Sequence, residues 1–383
     1  MSRLSYSDAT RSTGVQFERF FGNPEIAAAL AGMIERGKIP QTMLFSGPEG
    51  VGKATLARRF AARLLGDAGA RIEQDDLSLE PNATQIVDRE KWPADKRNED
   101  PLLFSSHPDF LTFAPDGPLR QITIQQMRLL KERAPLKPLR GDWRVFLIDS
   151  IDRANEQAAN SLLKTLEEPP PHLILIMTAR NAYDLLPTIR SRAVPFHFAR
   201  LGEEEMRTFL ATRPVDDAGR RLHLAEGSPG LAASIDLEAY DRRRAAMLAL
   251  LKAASGAGPF EAWMKHSDSI AARRTEKLEW YLEALYSLIE DVVRAANGAA
   301  NLSSDSRATK AGGSHGTDLT WPPAPVRLRN RDLSQEIGAL AQKVSFDWLW
   351  RMVGRVDELV ELARRNIQKP LALDALAVQL RSL

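Results

Sequence analysis

The stretch Gly47-Pro48-Glu49-Gly50-Val51-Gly52-Lys53 carries the residue types that hold a phosphate. It follows the apolar run Leu44-Phe45 and feeds a helical pattern from Leu56 to Leu65. Glycines let backbone N–H groups converge on an anion, and the helix that follows brings its positive end to the same point. That is the layout of a P-loop, with Lys53 where the phosphate-binding lysine belongs. The next position calls for Ser or Thr, whose hydroxyl holds Mg²⁺, and here it is Ala54. Thr55 is a poor replacement, because one residue turns a helix by about 100°. Gly47, Gly50, Gly52, Lys53 and Thr55 therefore read as a degenerate nucleotide site without a metal ligand.

A second element supports the loop. Asp149 ends the apolar run Trp143 to Ile148, and open α/β sheets place ligands at the carboxyl ends of their strands. In working ATPases of this class a glutamate follows that aspartate and orients the attacking water. Here Ser150 follows, and a hydroxyl of high pKa is no general base at neutral pH. Asp152 lies two residues on, where side-chain direction makes it a poor substitute.

The elements that must position these residues form an alternating pattern. Strands are expected at Thr42–Phe45, Phe110–Phe113, Trp143–Ile148, Leu173–Met177 and Val194–Phe198. Helical patterns run from Pro24 to Gly37, along the stretch after the loop, from Ile122-Thr123-Ile124 onward, and from Asn155 to Glu168 before Pro169-Pro170-Pro171. Alternation of this kind predicts a parallel α/β sheet. Residues 67–105, rich in acids, Asn and Pro, read as an irregular insertion. After Leu201 only helical patterns remain, interrupted by a Gly-, Ser- and Pro-rich stretch at 297–330 that reads as a disordered loop.

The 383 residues are 44% hydrophobic and 27% charged, with a net charge of +2. This is the composition of an ordinary globular chain of two or three domains, and the weak basic excess argues against a stand-alone nucleic-acid binder. There is no cysteine, which excludes disulfides and cysteine-ligated zinc. No apolar run reaches a membrane span and no secretory signal opens the chain, so a cytoplasmic location is expected.

Several stretches together resemble the AAA+ clamp-loader proteins of bacterial DNA polymerase III. They are Gly47 to Thr55, His107-Pro108-Asp109, Ile148-Asp149, Asn160 to Pro170 with its Leu-Leu-Lys-Thr-Leu-Glu-Glu-Pro-Pro run, and Leu185 to Arg192. The resemblance implies an AAA+ P-loop domain at 17–200 behind a tail at 1–16, a small helical lid at 201–240 and an all-α collar at 241–383. It implies a ring in which the motor subunits hydrolyse ATP and a delta-prime-type subunit does not. Ser191-Arg192 matches the Ser-Arg of the family's Ser-Arg-Cys motif, with Ala193 in place of the cysteine, and Arg192 would reach the neighbour's ATP site. The motor subunits carry a lid arginine near the segment matching Gly227 to Leu231, where this chain has none. With Ala54 and Ser150, that favours the delta-prime type over the alternative, a gamma/tau-like motor subunit. Implied partners are the motor subunits, the delta subunit and, through the complex, the sliding clamp and primed DNA. No cofactor is required, zinc is not expected, and weak ATP or ADP binding is left open. His107-Pro108-Asp109 reads as a turn, Glu167-Glu168 as a solvated helix end, and Arg327, Arg329 and Arg331 as solvated cations.

Overall fold

The structure is a computed structural model and describes residues 17, 20–66, 71–273, 276–308, 328–363 and 368–382. The expected tail at 1–16 lies outside the described residues, as do 67–70 of the insertion and 309–327 of the expected loop. The chain divides into two compact units, one of residues 1–218 and 225–233, the other of 219–224 and 234–383.

The first unit is built on six strands: β1 Thr42–Ser46, β2 Leu103–His107, β3 Phe110–Phe113, β4 Arg144–Ile148, β5 Leu173–Ala179 and β6 Val194–His197. Their order across the sheet is β2-β3-β4-β5-β1-β6, with β2 antiparallel to β3 and all other pairs parallel. The central strands β1, β4 and β5 are buried along their whole length, which is why they read as unbroken apolar runs. The period of two sorts them onto two faces. Leu44, Phe146, Leu175 and Met177 join one core; Phe45, Val145, Leu147 and Ile176 join the other.

The helices in chain order are α1 Pro24–Arg36, α2 Lys53–Leu65, α3 Glu80–Arg89, α4 Ala94–Glu99, α5 Ile124–Arg133, α6 Glu156–Glu167, α7 Pro187–Arg190, α8 Glu203–Ala211, α9 Ala218–Ala225 and α10 Pro229–Ser234. Those of the second unit that follow are α11 Leu237–Ala254, α12 Phe260–Ala272, α13 Leu278–Ala308, α14 Ser334–Lys343, α15 Phe346–Ala363 and α16 Lys369–Arg381. Local sequence sets their ends. Asn155 caps α6 through a bond from the Ala158 amide, and Thr123 with Gln126 forms a reciprocal cap on α5. Leu162 and Leu166 turn α6 into the core, as their spacing predicts.

Two expectations fail. The segment 71–105 is ordered: a short 3-10 turn at Ile72–Asp75, helices α3 and α4, and strand β2. Ionic contacts supplement a small apolar cluster of Ile86, Leu102, Phe104 and Ala114. Buried Arg89 grips Asp116 with Nε at 3.0 Å and Nη2 at 2.7 Å, stacks on Trp92, and bonds the Asp100 carbonyl. Lys96 covers Trp92, its ammonium 3.7 Å from the ring centre. Second, α13 continues through 297–308, about a third of what reads as loop, and its register carries Asp291 into a buried network. Asp291 accepts from the Arg329 and Asn330 amides and from Asn330 Nδ2, each at 2.8 Å. Arg329 also pairs with Glu290 at 3.5 Å, so it is no solvated cation. Arg327 lies outside the described residues.

Within the second unit the core is apolar and tethered by indoles. Trp263 is fully buried and donates to Asp374 at 2.9 Å; Trp348 donates to the Leu380 carbonyl at 3.1 Å.

Candidate functional site: a nucleotide loop and an exposed arginine

β1 delivers the chain into the loop at the carboxyl edge of the sheet, and α2 begins at Lys53. Gly47 donates to the Ala179 carbonyl at 3.1 Å, which sets the loop beside the end of β5. The glycines are also required by the chain's own packing. At Gly47, where φ is 146°, a Cβ would lie 2.3 Å from the Phe198 carbonyl oxygen; at Gly50, where φ is 74°, it would lie 2.2 Å from Ser228 Oγ. Ser228 Oγ donates to the Glu49 carbonyl at 3.0 Å and the Gly230 amide to the Gly50 carbonyl at 2.8 Å. The turn before α10 is thus bonded directly to the nucleotide loop.

Lys53 is only 9% exposed. Its ammonium donates to the Gly47 and Pro48 carbonyls, both at 2.6 Å. Burial pushes its pKa down, while the carboxylates of Asp149, Glu49 and Asp152 pull it part of the way back. Asp149 stands at the end of β4, where its Oδ1 accepts from Thr178 Oγ1 at 2.6 Å. The same hydroxyl accepts from the Ser150 amide at 2.8 Å, and Ser150 is in the left-handed region at φ 64°. The strand-end aspartate is therefore tied through one oxygen to its neighbour strand, with Oδ2 left over.

Thr55 is half-buried in the first turn of α2, and Ala54 carries no oxygen. The donor set fits a phosphate through Lys53 and the loop amides and does not fit Mg²⁺. Among the described residues no group of three or more His, Cys, Asp or Glu side chains could hold a metal.

The structure adds residues that motif reading missed. The Asp152 side chain is 3% exposed, pairs with Arg180 Nε at 3.2 Å, and leaves Oδ1 without a partner. Its charge helps to raise the Lys53 pKa, so it lies near enough to the loop to be felt there, with Oδ2 taken by Arg180. Arg180 directly follows the carboxyl end of β5, a position that open-sheet logic marks as site-lining. Asp109 is more than a turn residue. Fully buried, it accepts from the Leu139 and Arg140 amides at 2.8 Å each and pins the loop before β4.

Arg192 sits apart from the nucleotide loop residues, just beyond α7. Its side chain is 33% exposed. Nη1 donates to the Thr188 carbonyl at 2.9 Å and Nη2 to Glu167 Oε1 at 2.7 Å. Glu167 is thus an ion-pair partner, contrary to its reading as a merely solvated end. Arg190 lies over the Tyr183 ring, 5.1 Å from its centre.

A mostly parallel sheet, a P-loop opening a helix and an aspartate ending a nearby strand define a P-loop α/β domain, here followed in the chain by an all-helical region. A family model described as DNA polymerase III, delta subunit, matches residues 97–202. DNA polymerase III subunit gamma/tau of Mycobacterium tuberculosis is 31% identical over 200 residues, covering 51% of this chain and 30% of the relative. Subunit delta' of Pseudomonas aeruginosa is 29% identical over 237 residues, covering 60% of this chain and 67% of that one. A solved gamma subunit-related protein of Thermotoga maritima aligns with 92% of this chain at 16% identity and a TM-score of 0.42. The chain spans less than a third of the length of the first curated relatives it matches. Its homologues are the gamma/tau and delta' subunits of DNA polymerase III, and the matches support the clamp-loader AAA+ family. Among the described residues no helix is long and apolar enough to cross a membrane.

Proposed function

We propose that this chain is a delta-prime-type subunit of a clamp loader: a non-hydrolysing member of a ring that places the sliding clamp on primed DNA. In this reading its α/β domain supplies Arg192 in trans to the ATP site of a neighbouring motor subunit, a lid follows at 201–240, and the helical collar at 241–383 joins the motor and delta subunits in the cytoplasm. One observation carries it. The nucleotide loop is fully formed, yet the positions for the metal ligand and the general base hold Ala54 and Ser150, and Asp149 is bonded to Thr178. A site of this kind recognises phosphate shape and activates no water. Arg192, by contrast, is a cation at the surface with N–H groups to spare.

The second reading, a gamma/tau-like motor subunit, has in its favour the 31% identity to gamma/tau over half the chain. It needs a metal ligand and a base that the loop lacks.

The deciding experiment is radiometric ATP hydrolysis by the isolated chain with Mg²⁺ at neutral pH, expected at background. Turnover at the rate of an AAA+ motor, lost in Lys53→Ala, would overturn the proposal in favour of the motor reading.

A further inference from the structure

The Arg192 guanidinium is held so that one edge stays open. Nη1 uses its hydrogens on the Thr188 carbonyl at 2.9 Å and Ser191 Oγ at 3.4 Å. Nη2 gives one to Glu167 Oε1 at 2.7 Å. That leaves Nε–H and one Nη2 hydrogen without a partner, two donors on neighbouring nitrogens of the planar fork. Two parallel N–H groups are what a phosphate takes from arginine.

Thr188 and Ser191 belong to the same turn as Arg192. Glu167 is the contact that comes from elsewhere, at the end of α6, whose position is fixed by the Asn155 cap and by buried Leu162 and Leu166. A long side chain tied only to its own turn keeps several rotamers; a bond to a second, packed element selects one. With Glu167 50% exposed, the pair contributes little to folding. We infer that Glu167 is a positioning residue, holding Arg192 in the orientation that offers its Nε/Nη2 edge to the phosphates of a neighbour's nucleotide. The inference rests on the reading of Arg192 given above.

The test uses the reconstituted assembly and its DNA- and clamp-stimulated ATP turnover. Glu167→Ala is expected to lower kcat roughly twofold, within the worth of one exposed charge pair and by less than Arg192→Ala does, with KM for ATP held within about twofold. Glu167→Gln should recover most of the rate, because its amide oxygen accepts the same bond. Glu168→Ala, an exposed neighbour, should match wild type. In an Arg192→Ala background, Glu167→Ala should add nothing. Independently of turnover, ¹⁵N spectra of the isolated chain should show slowed Nε–Cζ rotation at Arg192 that Glu167→Ala releases. A wild-type kcat for Glu167→Ala beside an impaired Arg192→Ala overturns the positioning role alone. Further loss from Glu167→Ala in the Arg192→Ala background also overturns it. Wild-type rates for Arg192→Ala overturn the reading beneath it.

Discussion

Lys53 and Arg192 are both cations that a phosphate would attract, and the fold treats them in opposite ways. Lys53 is enclosed and gives two of its three ammonium hydrogens to the carbonyls of its own loop. Arg192 lies at the surface, braced by one carbonyl and one carboxylate, with an edge unused. The buried lysine holds its own loop in shape, whereas the surface arginine keeps N–H groups available to another molecule. The loop can therefore keep its form after losing its chemistry, while the arginine keeps a chemistry that needs a partner to be expressed.

The most direct way to break this comparison is to exchange what each cation is asked to do. Arg192→Ala in the reconstituted complex should cut stimulated ATP turnover roughly two- to tenfold, with assembly unchanged by gel filtration. A supplied arginine is worth roughly 10³–10⁵ at a single site, and the other sites of a ring keep their own. Arg192→Lys should fall short of wild type, since an ammonium lacks the planar fork. Wild-type turnover for both variants would reduce Arg192 to a surface ion pair.

Buried charge should show itself in stability. Asp109→Ala leaves the Leu139 and Arg140 amides without their acceptor. Hydrogen exchange at those two amides should quicken roughly a hundredfold, the equivalent of about 3 kcal/mol. Unchanged exchange would mean that the loop is held by something other than this carboxylate.

Asp75 gives a smaller, pH-dependent effect. It is buried, one oxygen lacks a partner, and burial raises its pKa above the usual 3.8. The folded chain thus holds the proton over a window that starts near 3.8 and extends upward. Through that window the folded state binds more protons than the unfolded one, so stability falls as pH rises. Asp75→Asn should therefore stabilise the chain by about 1 kcal/mol at pH 7, with the gain shrinking as the pH approaches 4. A gain that stayed constant across that range would show that ionisation of Asp75 is not what it relieves.

The smallest expected effect belongs to Lys53. In the assembled complex, Lys53→Ala should change stimulated turnover by less than about twofold, because the loop it serves activates no water. A collapse comparable with that of Arg192→Ala would erase the distinction between the two cations.

How much of this was legible in the sequence follows the same division. Strands β1, β3, β4 and β5 were readable because burial on both faces demands unbroken apolar runs. The loop was readable because its glycines are needed twice, for backbone direction and for the close approach of Phe198 and Ser228. The segment 71–105 was opaque: its order rests on a small apolar cluster of Ile86, Leu102 and Phe104, on Arg89 with Asp116 and on cations over Trp92, and such scattered contacts leave no period in the sequence. Asp109 was passed over because a buried carboxylate that binds two amides looks, in sequence, like any turn aspartate. Asp149 and Arg192 were found by motif, but their partners, Thr178 and Glu167, lie 29 and 25 residues away along the chain.

The Asp291–Asn330 network has a practical consequence. Two amides and a side-chain amide fasten 329–330 to the middle of α13, so the chain is anchored there whatever joins Ala308 to Leu328. Asp291→Ala should therefore release 329–330 from α13, which faster hydrogen exchange at the Arg329 and Asn330 amides would report.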